Sequence, residues 1–237
     1  MRELISRFSQ GFIVSCQALE DEPLYGPEIM AAMAVAAEEG GASGIRANSP
    51  EDIAMIKKKC SLPVIGLYKK TYSDSPVYIT PTLAEVAAVI DAGADLVALD
   101  ATKQERPGGI ALVDLLGQIR ERFPDTPIVA DISTYEEGVQ AMDLGADLVS
   151  TTLSGYTPYS KQQPGPDIEL VERLASLQRT PVLAEGKIWT TDECVRCYRA
   201  GAFAVVVGTA ITRPREITKR FMKEIESKIQ GTQPQLH

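Results

Sequence analysis

Gly93-Ala94-Asp95-Leu96-Val97-Ala98 and Gly145-Ala146-Asp147-Leu148-Val149-Ser150 are near copies of each other, 52 residues apart in a chain of 237. Upstream by another 52 residues stands Gly41-Ala42-Ser43-Gly44-Ile45-Arg46, and 56 residues downstream stands Gly201-Ala202-Phe203-Ala204-Val205-Val206. Between the copies runs a second series: Pro63-Val64-Ile65-Gly66, Pro127-Ile128-Val129-Ala130 and Pro181-Val182-Leu183-Ala184. Each copy opens an apolar run of strand length, and helical patterns fill the gaps: 27–39, 50–60, 82–92, 113–123, 134–144, 167–177, 190–200 and 214–229. With an opening strand at Phe12 to Gln17, the tally is eight strand–helix units. Alternating strands and helices require parallel pairing, because each crossover must carry a helix over the sheet. The α/β class follows, and eight units in a chain of this size predict a single (β/α)8 TIM barrel over 1–230 with a frayed tail at 231–237. The rival, a doubly wound open sheet, leaves the regular alternation of starters unexplained, and no G-x-G-x-x-G opens a helix.

Strand side chains alternate between faces, so the repeat also assigns an inside and an outside. Val97, Val149 and Val205 share the face toward the helices; Arg46, Ala98, Ser150 and Val206 share the interior. Carried upward, the interior parity reaches Asn48, Asp100, Thr152 and Gly208 in one series and Lys69, Asp131 and Glu185 in the other. Lys70 has the opposite parity. Arg46, Lys69, Asp100, Asp131 and Glu185 are therefore expected to converge at the C-terminal face, where barrel enzymes carry their sites. A salt-bridge layer that merely caps the barrel is the structural alternative. Strands seven and eight end in Glu185-Gly186-Lys187 and Gly208-Thr209, with Arg213 just beyond. Barrels often hold a phosphate there on backbone N–H groups and the start of a short extra helix, so Gly186, Lys187, Gly208, Thr209 and Arg213 are expected to bind one.

Composition narrows the chemistry. Hydrophobic residues make up 44% and charged residues 24%, which suits a globular chain rather than a disordered or fibrous one. The net charge of -8 argues against a nucleic-acid surface but leaves room for a small anion held by local cations. The one histidine is His237, the last residue, so histidine triads, His-ligated metal and a histidine base are not expected; proton transfer falls to Lys, Asp, Glu, Tyr or Cys. Cys194 and Cys197 have zinc-knuckle spacing but no second pair, and they sit in a helical pattern. The segment from Met1 to Gln10 has neither the apolar run nor the cleavage site of a signal peptide, and no membrane span is visible, so the cytoplasm is the expected location.

The runs Val14-Ser15-Cys16-Gln17-Ala18-Leu19, Gly44-Ile45-Arg46-Ala47-Asn48, Asp100-Ala101-Thr102, Ala130-Asp131-Ile132-Ser133, Thr151-Thr152-Leu153-Ser154-Gly155-Tyr156-Thr157 and Ala184-Glu185-Gly186 together resemble the bacterial N-acetylmannosamine-6-phosphate 2-epimerase family. The resemblance extends from about Gly11 to Phe221. It implies interconversion of N-acetylmannosamine 6-phosphate and N-acetylglucosamine 6-phosphate in amino-sugar and sialic-acid breakdown. It further implies Lys69 as catalytic lysine, Glu185 as its acidic partner, and Gln17, Arg46 and Asp131 as substrate contacts; interior parity adds Asp100 and Thr152. Lys70 and Thr71 follow Lys69 where many relatives carry Arg-Asp.

Removing the C2 proton of an open-chain N-acyl amino sugar needs a base, a reprotonation source and stabilisation of an enolate, but no metal or nicotinamide. The other readings are a different phosphosugar-barrel epimerase or decarboxylase, and a phosphosugar sensor without catalysis. Barrels of this kind often form homodimers, although no stretch of sequence names an interface.

Overall fold

In a computed structural model that describes residues 2–230, eight parallel strands close edge to edge in chain order, the last pairing with the first. They are β1 (Gly11–Cys16), β2 (Gly44–Asn48), β3 (Val64–Leu67), β4 (Leu96–Asp100), β5 (Ile128–Asp131), β6 (Leu148–Ser150), β7 (Val182–Glu185) and β8 (Ala204–Val207). Around them lie α2 (Pro27–Glu39), α3 (Pro50–Lys59), α4 (Leu83–Asp91), α5 (Leu112–Arg122), α6 (Tyr135–Asp143), α7 (Ile168–Ala175) and α8 (Thr191–Arg199). A short α1 (Arg2–Ser6) precedes the barrel, and α9 (Thr209–Thr212) and α10 (Pro214–Gln230) follow β8. The expected tail at 231–237, His237 included, lies outside the described residues.

The repeat has a local logic. Gly93 and Gly145 follow their helices with φ of +96° and +83°, a left-handed conformation that stops a helix without a Cβ clash. The aspartate two residues on then stitches three elements together. Asp95 accepts the Val64 N–H at 2.8 Å and pairs with Lys57 at 2.7 Å; Asp147 does the same with Ile128 at 2.8 Å and Arg120 at 2.6 Å. At the opposite end, Thr82/Glu85, Thr134/Glu137 and Thr190/Glu193 form capping boxes that start α4, α6 and α8.

Strand alternation sorts the core into two layers. Val97, Val149 and Val205 join the outer cluster under the helices, while Ala98, Val129, Leu183 and Val206 join the inner one. The sequence reading missed the floor of the inner layer. α1 leads to Phe8, fully buried beneath Ile13, Leu96, Leu148 and Ala204, so the N-terminal segment plugs the bottom of the barrel. Gly44 makes room for it, since a Cβ there would stand 2.3 Å from the Phe8 ring. With the bottom filled, the cavity lined by Lys69, Glu185 and Gly208 opens at the C-terminal ends of the strands.

Candidate active site

At the upper end of β2 the Arg46 side chain points inward and is 1% exposed. Its Nη1 and Nη2 donate to the two Asp131 carboxylate oxygens at 3.1 and 2.5 Å, and Nη1 also lies 3.3 Å from Glu185 Oε2. Burial opposes the guanidinium charge, but Asp131 and then Glu185 outweigh it and hold Arg46 above its ordinary pKa. Thr152 Oγ1 sits 2.7 Å from Asp131 Oδ1, 3.1 Å from Glu185 Oε2 and 2.8 Å from Ser150 Oγ. A hydroxyl has one proton, so Thr152 serves one carboxylate at a time. Asp131 thus takes the arginine fork, whereas Glu185 has one longer contact and is 12% exposed. Burial, chiefly, raises the Glu185 pKa, with Arg46 pulling the other way and Asp131 adding to the rise.

Lys69 lies two residues past β3 on a hairpin over 68–80 that folds back across the barrel mouth. The Lys69 N–H donates to Asn48 Oδ1 at 2.8 Å, and Lys69 forms an antiparallel bridge with Ile79. The Lys70 N–H donates to the Tyr78 carbonyl and the Thr80 N–H to the Tyr68 carbonyl, both at 2.9 Å. Thr80 Oγ1 donates to the Ala98 carbonyl at 2.6 Å, which fastens the hairpin to β4. Burial, and next the charge of Arg46, depress the Lys69 amine to about 8. Lys70 instead pairs with Glu85 at 3.1 Å on α4, is 48% exposed, and is held above its ordinary pKa by the hydrogen bond to Glu85.

Arg46, Lys69, Thr152 and Glu185 face a cavity of about 460 Å³, within the range of small-molecule sites. Gln17 joins them, its Nε2 donating to Ser15 Oγ at 2.8 Å. Leu67, Ile79, Leu153 and Val206 form an apolar base, and Tyr78, Tyr156 and Trp189 line the sides. Two expected residues stand off the cavity wall. Asp131 is fully buried against Arg46. Asp100 is also fully buried: its Oδ1 accepts the Thr102 N–H and hydroxyl at 2.8 and 2.7 Å, and its own N–H donates to Ile79 O. Convergence of Asp100 on the ligand space is therefore corrected, because a local turn captures the carboxylate and the hairpin closes over it.

At the β7–β8 end, Gly186, Lys187, Gly208, Thr209 and Arg213 all border the cavity. Gly186 has φ +105° and lies so near Thr152 that a Cβ would stand 3.3 Å from its carbonyl oxygen. Gly208 precedes α9, whose first N–H groups lack intrahelical partners, as at any helix start. Lys187 is engaged elsewhere: its Nζ donates to Gln163 O at 3.0 Å and Gly155 O at 3.3 Å and lies 5.2 Å from the Tyr156 ring centre. Arg213 pairs with Glu22, with Nε donating to Oε2 at 3.0 Å and Nη2 donating to Oε1. Ser15, Glu22, Tyr78, Tyr156 and Trp189 were not anticipated. Parity with Gln17 marks Ser15 as inward; the others lie on loops that no repeat describes.

Comparison with known proteins agrees with this geometry. Residues 30–227 match the family model described as "Putative N-acetylmannosamine-6-phosphate epimerase". A relative of that name with the 2-epimerase suffix, from Caldanaerobacter subterraneus subsp. tengcongensis, is 58% identical over 226 residues, 95% of each chain. One from Clostridioides difficile is 49% identical over 94% of this chain and 99% of its own. Among solved structures, the N-acetylmannosamine-6-phosphate 2-epimerase from Clostridium perfringens superposes with a TM-score of 0.89 at 48% identity, over 93% of this chain and 95% of that one. A thiamine phosphate pyrophosphorylase from Pyrococcus furiosus, at 18% identity and a TM-score of 0.58, shares the fold alone. The chain belongs to the N-acetylmannosamine-6-phosphate epimerase family.

Proposed function

We propose that this protein interconverts N-acetylmannosamine 6-phosphate and N-acetylglucosamine 6-phosphate by removing the C2 proton and returning one to the opposite face. The observation that carries the reading is a depressed lysine and a raised carboxyl sharing one cavity around one buried arginine. With its pKa at about 8, Lys69 is roughly 10% neutral at pH 7, against about 0.03% for an ordinary lysine. Lys69 takes the C2 proton of the open-chain sugar, the C–H electron pair becomes the enolate, and Arg46 supplies positive charge beside it. Glu185, in its protonated form, gives the proton back. The turnover leaves Lys69 charged and Glu185 ionised, which is the state the reverse reaction needs. The neutral pair and the charged pair hold the same number of protons, so each serves one direction. Neither metal nor nicotinamide enters this route, and Arg46 fills the space between Asp131 and Glu185 that a divalent cation would need. Gln17 and Thr152 are proposed as hydrogen-bonding partners of the sugar, with Asp131 and Asp100 acting from behind the wall. Incubation with N-acetylmannosamine 6-phosphate is expected to yield N-acetylglucosamine 6-phosphate; absence of conversion would contradict the reading.

The phosphate is proposed to sit on Gly186, Gly208, Thr209 and Arg213, with Lys187 shaping the loop beside it. Binding energy from a remote phosphate orients the reacting carbon, so the unphosphorylated sugar should react at least about 100-fold more slowly. Equal kcat/KM on the two sugars would contradict this placement. The proposed setting is amino-sugar and sialic-acid breakdown, as the family resemblance implies, and the proposed location is the cytoplasm. No helix among the described residues is long and apolar enough to cross a membrane.

A homodimer through α10 is also proposed. This helix packs against α9, and Phe221, Met222, Ile225 and Ile229 leave an apolar stripe in the open, Phe221 at 63% and Ile229 at 64% exposure. Such a stripe on a surface helix marks a contact site. Light scattering should give twice the chain mass of 25.6 kDa, and Phe221→Glu with Ile225→Glu should halve it. A wild-type monomer at micromolar concentration would overturn the dimer.

A further inference from the structure

The phosphate end of the cavity carries two carboxylates, Glu22 and Glu216, beside its cation. Unpaired acids there would repel a phosphate dianion, so their partners matter. Glu216 pairs with Arg215 at 3.1 Å and Lys219 at 3.0 Å. Glu22 is different: it is buried, lies on the turn after β1, and grips the Nε and Nη2 edge of Arg213 through both carboxylate oxygens. The turn is itself pinned, with the Glu22 N–H donating to Leu19 O and the Tyr25 N–H donating to Glu22 O. Arg215 adds a second tie between the same two loops, donating to the Asp21 carbonyl at 3.3 Å. Beneath them, Thr212 Oγ1 donates to the Ser15 carbonyl at 2.8 Å. The loop after β1 is thereby stitched to the start of α10, and the guanidinium plane of Arg213 is fixed by its far edge.

We infer that Glu22 is a positioning residue for phosphosugar binding: with the phosphate seated on Arg213 as proposed above, Glu22 holds the guanidinium so that Nη1 faces the cavity. A two-bond grip on one edge of a guanidinium leaves both Nη1 hydrogens and one Nη2 hydrogen as free donors and removes most of the side chain's rotational freedom before the ligand arrives. Preorganisation of this kind adds affinity, because the entropy of ordering the arginine is not charged against binding. The opposite role, Glu22 as a competitor that neutralises Arg213 and weakens phosphate binding, predicts the reverse sign. Orientation and competition are thus separable in one experiment.

The test compares wild type with Glu22→Gln, Glu22→Asp, Arg213→Ala and the Glu22→Gln/Arg213→Ala double variant. It reads KM and kcat for N-acetylmannosamine 6-phosphate and the inhibition constant of inorganic phosphate. Glu22→Gln should raise both KM and the phosphate inhibition constant about tenfold, the cost of one arginine left to order itself, while kcat changes by less than about threefold. Glu22→Asp keeps the charge and one of the two bonds, and should fall between Gln and wild type. In the Arg213→Ala background, Glu22→Gln should cost nothing further, whereas a general structural role would cost the same in both backgrounds. Tighter phosphate binding in Glu22→Gln, an unchanged KM, or additive losses in the double variant would overturn the positioning role. If Arg213→Ala alone leaves KM and phosphate inhibition unchanged, the phosphate placement itself has failed, and the role of Glu22 with it.

Discussion

Lys69→Ala is expected to lower turnover by about 10²–10⁴-fold, the usual cost of losing a general base. Lys70→Ala, one residue away, should stay within about threefold of wild type, since Lys70 is absent from the cavity lining and the buried Glu85 keeps Tyr72 and Thr82 as partners. The contrast follows from the hairpin, which holds Lys69 over the cavity by the Asn48 and Ile79 contacts while the Lys70 ammonium turns to Glu85 on α4. Only the neutral amine can accept the C2 proton. Exchange of that proton through Lys69 should therefore rise with pH and level off above about 8, where the depressed amine is deprotonated. Steady-state assays of the two variants and a pH series of C2 exchange check both parts. Equal losses in Lys69→Ala and Lys70→Ala would refute the assignment.

Glu185→Gln keeps the shape of the side chain but has no proton to give. Net epimerisation should fall by about 10²–10⁴-fold, while removal of the C2 proton by Lys69 survives, so the two activities come apart. The pH limb for exchange should also move below about 8, because the Glu185 charge is among the groups that hold the Lys69 pKa up. The melting temperature should stay close to wild type, since Arg46 retains its two bonds to Asp131. Following C2 exchange and product formation separately in this variant provides the check. Product formation near the wild-type rate would move the second proton transfer from Glu185 to a relay through a substrate hydroxyl.

Much of this arrangement was legible in the residues before any coordinates. The Gly-Ala and Pro starters, with the opening run at Phe12 to Gln17, gave the strand count, and strand alternation alone sent Arg46, Lys69 and Glu185 to one face and Lys70 to the other. Those signals work because the side chains of a barrel strand alternate faces with period 2. They fail where the chain leaves the strand. Asp100 obeys the parity but is drawn into a turn with Thr102, and no period reports a local hydrogen bond of that sort. Tyr78 reaches the cavity because 68–80 doubles back as a hairpin; the turn-forming Ser73-Asp74-Ser75-Pro76 between two aromatic, β-branched stretches was the available clue. Lys187 and Arg213 were expected as phosphate cations from position alone. Their partners, loop carbonyls for one and Glu22 for the other, depend on loops that meet only in three dimensions. The plug formed by Phe8 was equally hidden, although the small Gly44 standing where the parallel repeats carry Leu96 and Leu148 is its trace in the sequence.

The central claim is that one lysine removes the C2 proton and a second group returns one from solvent exchange. Proton NMR of N-acetylmannosamine 6-phosphate incubated with the protein in deuterated water reads this directly. Wild type should form N-acetylglucosamine 6-phosphate carrying deuterium at C2, and Lys69→Ala should show neither product nor loss of the C2 signal on the same timescale. Product that retains its original C2 proton, or a Lys69→Ala protein that exchanges it near the wild-type rate, would contradict the account.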